Sequence, residues 1–104
     1  MWNQVQVIWD PSSTPGLIWS GKWYANTHLS QWIIGIDDDY CASIVYDPLG
    51  GRYDVVLAKL TSGEHTTGCP RYDIKYGHAI WMDTCGEPDY VERYKSVIRD
   101  MRLH

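Results

Sequence analysis

The sequence has 104 residues, a common length for one domain, and we expect residues 1–104 to form a single domain around one core. Hydrophobic residues make up 44% and charged residues 21%, a composition that excludes a disordered chain. The apolar runs are too short to cross a bilayer, and the first residues lack the pattern of a signal peptide. We therefore expect neither membrane insertion nor export.

The formal net charge of −4 is concentrated in the first half of the sequence. Residues 1–51 contain five aspartates and one base, Lys22, whereas residues 52–104 contain equal numbers of acidic and basic residues. Binding to nucleic acid depends on lysines and arginines that neutralise phosphates, so we expect no direct nucleic-acid binding. We expect instead a protein partner with a basic surface.

Most of the chain alternates between apolar and polar residues in short runs bounded by turn residues. This pattern predicts an antiparallel sheet. The predicted strands span residues 3–9, 17–24, 29–36, 40–46, 53–60, 71–76 and 78–82. The strand at 53–60 has apolar residues on both faces, so we expect it to be central, and the third, fourth and fifth strands are expected to form a meander.

Turns are predicted where prolines, glycines and aspartates cluster between the strands. Residues 10–16 contain two prolines, and residues 47–51 combine a proline with two glycines. Asp37, Asp38 and Asp39 interrupt the apolar pattern and predict the tip of a hairpin. Residues 61–70 are polar and are predicted to form a loop.

One helix is predicted, after the last strand. Apolar residues at helical spacing form a single stripe, which consists of Tyr90, Val91, Tyr94, Val97, Ile98 and Met101. Pro88 suits the first turn, and Lys95, Arg99 and Arg102 complement the negative end of the helix dipole. The expected fold class is α+β, with a mostly antiparallel β-sheet of five to seven short strands packed against one C-terminal α-helix.

Histidine and cysteine side chains offer an alternative metal-binding function. Imidazole and thiolate groups are natural ligands of zinc, and the candidate ligands are His65, Cys69, His78 and Cys85. Their spacing is irregular and no Cys-x-x-Cys motif is present, so unrelated surface histidines and buried thiols are the favoured interpretation. We expect no cofactor, with zinc as the alternative.

A thiol-dependent hydrolase is a further alternative. Cys41 or Cys85 would attack an acyl centre, His78 would accept the proton, and Asp73 or Asp83 would orient the imidazole ring. In such enzymes the cysteine lies at the start of a helix, whereas Cys41 and Cys85 fall in or beside predicted strands. A small core residue is therefore the favoured interpretation of each cysteine. The odd cysteine count of 3 predicts reduced thiols and a cytoplasmic location, with a Cys69–Cys85 disulfide as the alternative.

The expected partner-binding residues are acidic and aromatic. The aromatic residues comprise 6 Trp and 8 Tyr with no Phe, and rings that carry an N–H or O–H suit core edges and binding faces. We expect a partner to contact Asp37, Asp38 and Asp39 together with Trp19 and Trp23. The predicted function is a small non-enzymatic protein-binding module that acts as an accessory inhibitor of an enzyme that handles nucleic acid.

Overall fold

The computed structural model describes residues 10–64, 68–74, 79–83 and 90–103. A 3₁₀ turn at Pro11–Ser13 precedes the sheet, with Asp10 as its N-cap. The strands are β1 (Leu17–Trp23), β2 (Asn26–Gly35), β3 (Tyr40–Asp47), β4 (Arg52–Glu64), β5 (Pro70–Asp73) and β6 (Ala79–Asp83), and the helix is α1 (Tyr90–Leu103). The predicted α+β class is confirmed. The strand predicted at residues 3–9 lies outside the described residues.

All the described strand pairs are antiparallel, in the order β1-β2-β3-β4-β5. β5 and β6 share one edge of β4: β5 pairs with its second half, where Lys59 is opposite Asp73, and β6 with its first half, where Val56 is opposite Ala79. β4 therefore has strand partners on both sides. This confirms that the strand predicted at residues 53–60 is central and that it closes a meander.

β4 extends beyond the prediction. Residues 61–64 were expected in a loop because they are polar, but they continue the strand as far as Glu64, which is opposite Pro70. The register shifts between Leu60 and Glu64. Such a shift bends a strand pair, and the polar end of β4 remains in the sheet through the pairing of Glu64 with Pro70 of β5.

The main hydrophobic core lies between the sheet and α1. Val55 and Leu57 of β4 and Tyr94 and Ile98 of α1 are almost completely buried in it. The Tyr94 hydroxyl donates a hydrogen bond of 3.1 Å to the Val55 carbonyl, which fixes the helix on the sheet. We call this side of the sheet the helix face. α1 has 14 residues, and no helix in the described part of the chain is long and apolar enough to cross a membrane.

The other side of the sheet, here called the opposite face, holds a second buried cluster of Ile33, Cys41, Ala58 and Cys69. The sheet curls strongly on this side. Two strands separate β2 from β5, which in a flat sheet places them about 14 Å apart, yet Gln31 Nε2 of β2 lies 2.8 Å from the Tyr72 hydroxyl of β5. The bent β4–β5 hairpin therefore folds back across the opposite face.

Candidate functional site

The predicted hairpin tip connects β2 to β3, and we call residues 37–39 the acidic tip. Asp37 orders it from within, because its Oδ1 accepts hydrogen bonds from the backbone N–H groups of Asp39 (2.8 Å) and Tyr40 (3.0 Å). The Asp39 carbonyl accepts a bond of 2.8 Å from the Leu60 N–H of β4. The tip is thus tied to the sheet on both sides of Asp38.

Arg102 of α1 binds the acidic tip from the helix side. Its Nη2 lies 3.2 Å from Asp37 Oδ2 and 3.1 Å from Asp39 Oδ2, and its guanidinium carbon lies 5.6 Å from the centre of the Tyr40 ring. The Arg102 side chain is 53% exposed, so each ion pair contributes less than about 1 kcal/mol. Its main effect is to hold two carboxylates in place. Asp38 is exposed and makes no ion pair within the described residues.

Trp19 and Trp23 lie on the opposite face and are partly buried. Trp19 packs against the second cluster, and its ring covers Gly21 so closely that an added Cβ would lie 2.6 Å from it. Trp23 makes an edge contact with Tyr24 at 6.2 Å between ring centres, and its side chain also hydrogen bonds with Tyr72. Trp19 is therefore an edge residue of the second cluster, and Trp23 lies beside Tyr72, which packs against that cluster.

The predicted acidic and aromatic residues do not form one compact patch. The acidic tip follows Gly35 at one end of β2, whereas Trp23 pairs with Asn26 at the other end. Nine residues of extended chain separate these ends, a distance of about 30 Å. Trp19 pairs with Ile33 and is the tryptophan nearer to the tip.

A groove lies between α1 and the acidic tip, and we call it the α1 groove. Its volume is ≈ 260 Å³. Apolar side chains of Ile98 and Leu103 and charged side chains of Lys95, Arg99, Arg102 and Asp37 line it. From the sequence, Lys95, Arg99 and Arg102 were expected only to complement the helix dipole. The sequence does not show that these three residues border a groove beside the acidic tip.

A polar centre on the opposite face was not predicted. The Gln31 amide is fully buried, and its Nε2 donates to Ser43 Oγ at 2.9 Å and to the Tyr72 hydroxyl at 2.8 Å. Its Oε1 lies 3.9 Å from Cys69 Sγ. A glutamine in an alternating strand normally indicates a side chain that faces solvent. The sequence pattern therefore could not predict that Gln31 is buried and hydrogen bonded.

Of the candidate zinc ligands, only Cys69 lies within the described residues; His65, His78 and Cys85 lie outside them. Cys69 is 2% exposed, and burial raises the pKa of its thiol. The residues described in the structure contain no cluster of metal-ligating side chains. The zinc site is therefore untested.

Cys41, one of the two candidate nucleophiles, lies in β3 and is fully buried. Burial, and secondly the neighbouring Cys69, raises the pKa of its thiol from 9.0 to about 12. A nucleophilic cysteine needs a lowered pKa and access to substrate. The environment of Cys41 has neither property.

The chain matches no family model, and neither a curated protein sequence nor a solved structure is significantly similar to it.

Proposed function

We propose that this chain is a non-enzymatic protein-binding module whose acidic tip contacts a partner with a basic surface. The observation that carries the proposal is the ordered geometry of the tip. Asp37 and Arg102 fix the backbone and two of the carboxylates, and Asp38 remains exposed between them. A tip ordered before binding loses less conformational entropy when the complex forms.

The charge balance of the tip favours an electrostatic role. Three carboxylates and the Arg102 guanidinium leave an excess of negative charge around Asp38. Exposed charges of this kind act mainly on the rate of association and on the choice of partner. Trp19, the nearer of the two tryptophans, offers an aromatic surface that extends the contact for a large partner.

The proposal also specifies the kind of partner and the cellular compartment. Enzymes that handle nucleic acid present lysines and arginines to the phosphates. A protein with an acidic tip complements such a surface, and by covering it would act as an accessory inhibitor. The odd number of cysteines favours the cytoplasm, where thiols remain reduced. The proposal includes no cofactor.

The test is affinity capture from cell extract with quantitative mass spectrometry, comparing the wild-type chain with Asp38→Asn. Asp100→Asn is the matched control, because it removes the same charge from an exposed position on α1 that does not line the groove. We expect a basic protein that the wild type and the control retain and that Asp38→Asn loses at low salt. Equal capture by all three proteins would contradict the role of the tip. If the partner captured through the tip is an enzyme, its inhibition by the wild-type chain is assayed next.

A further inference from the structure

The acidic tip and the α1 groove carry opposite charges and lie side by side. Arg102 joins them, since it lines the groove and binds both Asp37 and Asp39. On the groove side, Lys95 lies 3.7 Å from Glu92, and Arg99 makes no ion pair within the described residues. In the acidic tip, Asp38 likewise makes no ion pair within the described residues. The acidic tip and the α1 groove therefore carry one anion, Asp38, and one cation, Arg99, that have no ion-pair partner among the described residues.

Such a surface is complementary to itself. In a dimer with two-fold symmetry, each contact between the tip of one copy and the groove of the other occurs twice. We propose that the chain forms a two-fold symmetric homodimer in which the acidic tip of each copy binds the α1 groove of the other. Asp38 of one copy then faces Arg99 of the other, and both charges gain a partner.

The apolar side chains of the α1 groove also favour a second copy of the chain as its occupant. Leu103 is 75% exposed at the groove, and Ile98 lies beneath the charged side chains. A second copy seated on this surface covers Leu103, which adds apolar contact area to the charge pairing. A phosphate backbone offers neither an apolar surface to cover Leu103 nor a cation to pair with Asp38.

The homodimer goes beyond the proposed function and limits partner binding to the monomer. Because the dimer covers Asp38, a chain in the dimer cannot present the acidic tip to a basic partner. Only the monomer is competent to bind, and the partner and the second copy compete for the tip. Dilution, or a high concentration of partner, then releases the monomer.

The dimer is tested by sedimentation equilibrium on the purified wild-type chain and on two charge reversals, Asp38→Arg and Arg99→Asp. Each reversal replaces attraction by repulsion at two symmetric contacts. We expect each to weaken dimerisation by about tenfold or more. An equimolar mixture of the two variants restores the dimer, because the arginine introduced into the tip of the first variant then faces the aspartate introduced into the groove of the second. The other contact of this mixed dimer pairs the native Asp38 with the native Arg99.

Asp100→Arg is the matched control, since it changes the net charge as much as Asp38→Arg does but lies outside the groove. If net charge alone governed association, both variants would dimerise more strongly than the wild type. Tip–groove pairing predicts that only Asp38→Arg weakens the dimer. A wild-type chain that stays monomeric up to roughly 1 mM, or a mixture no more dimeric than its components, would overturn the proposal and leave the groove to a foreign ligand.

The two proposals fail in different experiments. Arg99→Asp weakens the dimer but leaves the acidic tip intact, so it retains the basic partner if the proposed function holds. Sedimentation of the purified chain requires no partner. A monomeric wild type would thus refute the dimer alone, and equal capture by Asp38→Asn would refute the partner site alone.

Discussion

Replacing Tyr72 with Phe removes a single oxygen atom from the polar centre of the opposite face. Gln31 Nε2 donates two hydrogen bonds, to Ser43 and to Tyr72, and Gln31 is fully buried. After Tyr72→Phe one of these N–H groups has no acceptor and no access to water. A buried donor left without a partner costs about 1–3 kcal/mol, and we expect this loss in the free energy of unfolding.

A double-mutant cycle with Gln31→Leu tests whether the two side chains interact. Gln31→Leu removes both donors, so the later change of Tyr72 to Phe then removes no bond to residue 31. We expect the double variant to be about 1 kcal/mol more stable than the sum of the single effects predicts. Tyr46→Phe is the matched control, because the Tyr46 hydroxyl makes no hydrogen bond within the described residues; it should cost less than about 0.5 kcal/mol.

Urea unfolding, followed by tryptophan fluorescence and by circular dichroism, gives the free energies if the two probes report the same transition. A loss of about 1 kcal/mol lowers the melting temperature of a chain of this size by about 4–8 °C, so the effect is easily measured. Additivity of Gln31→Leu and Tyr72→Phe within about 0.3 kcal/mol would show that β2 and β5 do not meet. The curled form of the sheet would then be wrong.

Three further predictions concern the helix, the acidic tip and the buried thiol. Ile98→Ala should cost about 2–4 kcal/mol in urea unfolding, because Ile98 is 3% exposed between α1 and the sheet; a loss below about 0.5 kcal/mol would place it at the surface. Asp37→Ala should cost about 1 kcal/mol, since two backbone N–H groups lose their acceptor and Arg102 loses one of its two carboxylate partners. An equal cost for the exposed Asp38→Ala would contradict the ordering role of Asp37. The folded-state pKa of Cys41 is raised to about 12, so the folded chain holds this proton more tightly and stability is lost as the pH rises from about 9 towards 12. The urea midpoint of Cys41→Ala should therefore fall less steeply between about pH 8 and 11 than that of the wild type, and parallel curves would refute this linkage.

The strands and the helix were predictable because their side-chain periods are local. Alternation around Trp32 and Ile34 predicted β2, and the stripe containing Tyr94 and Ile98 predicted the buried side of the helix. The end of β4 was not predictable, because it remains in the sheet through the pairing of Glu64 with Pro70 of β5 and not through an apolar pattern of its own.

The candidate site was less predictable because its contacts join residues far apart in the sequence. The sequence showed Asp37, Asp38 and Asp39 in a half of the chain with one base, which indicated an unneutralised tip. Arg102 pairs with this tip across an interval of 63 residues from Asp39. No local pattern contains that pairing, and the same is true of Gln31 and Tyr72, 41 residues apart. Both contacts depend on how the sheet curls and where α1 lies on it.

The meander followed by a single helix also determines the order in which the core is completed during synthesis. Neighbouring strands of β1 to β4 pair through short hairpins, so they can form as the chain leaves the ribosome, and such local pairing favours fast folding. α1 comes after all of the described strands. Until it emerges, Val55 and Leu57 lack the cover that α1 provides in the folded chain. The nascent sheet therefore exposes its most apolar side in this interval, when it is most in need of a chaperone.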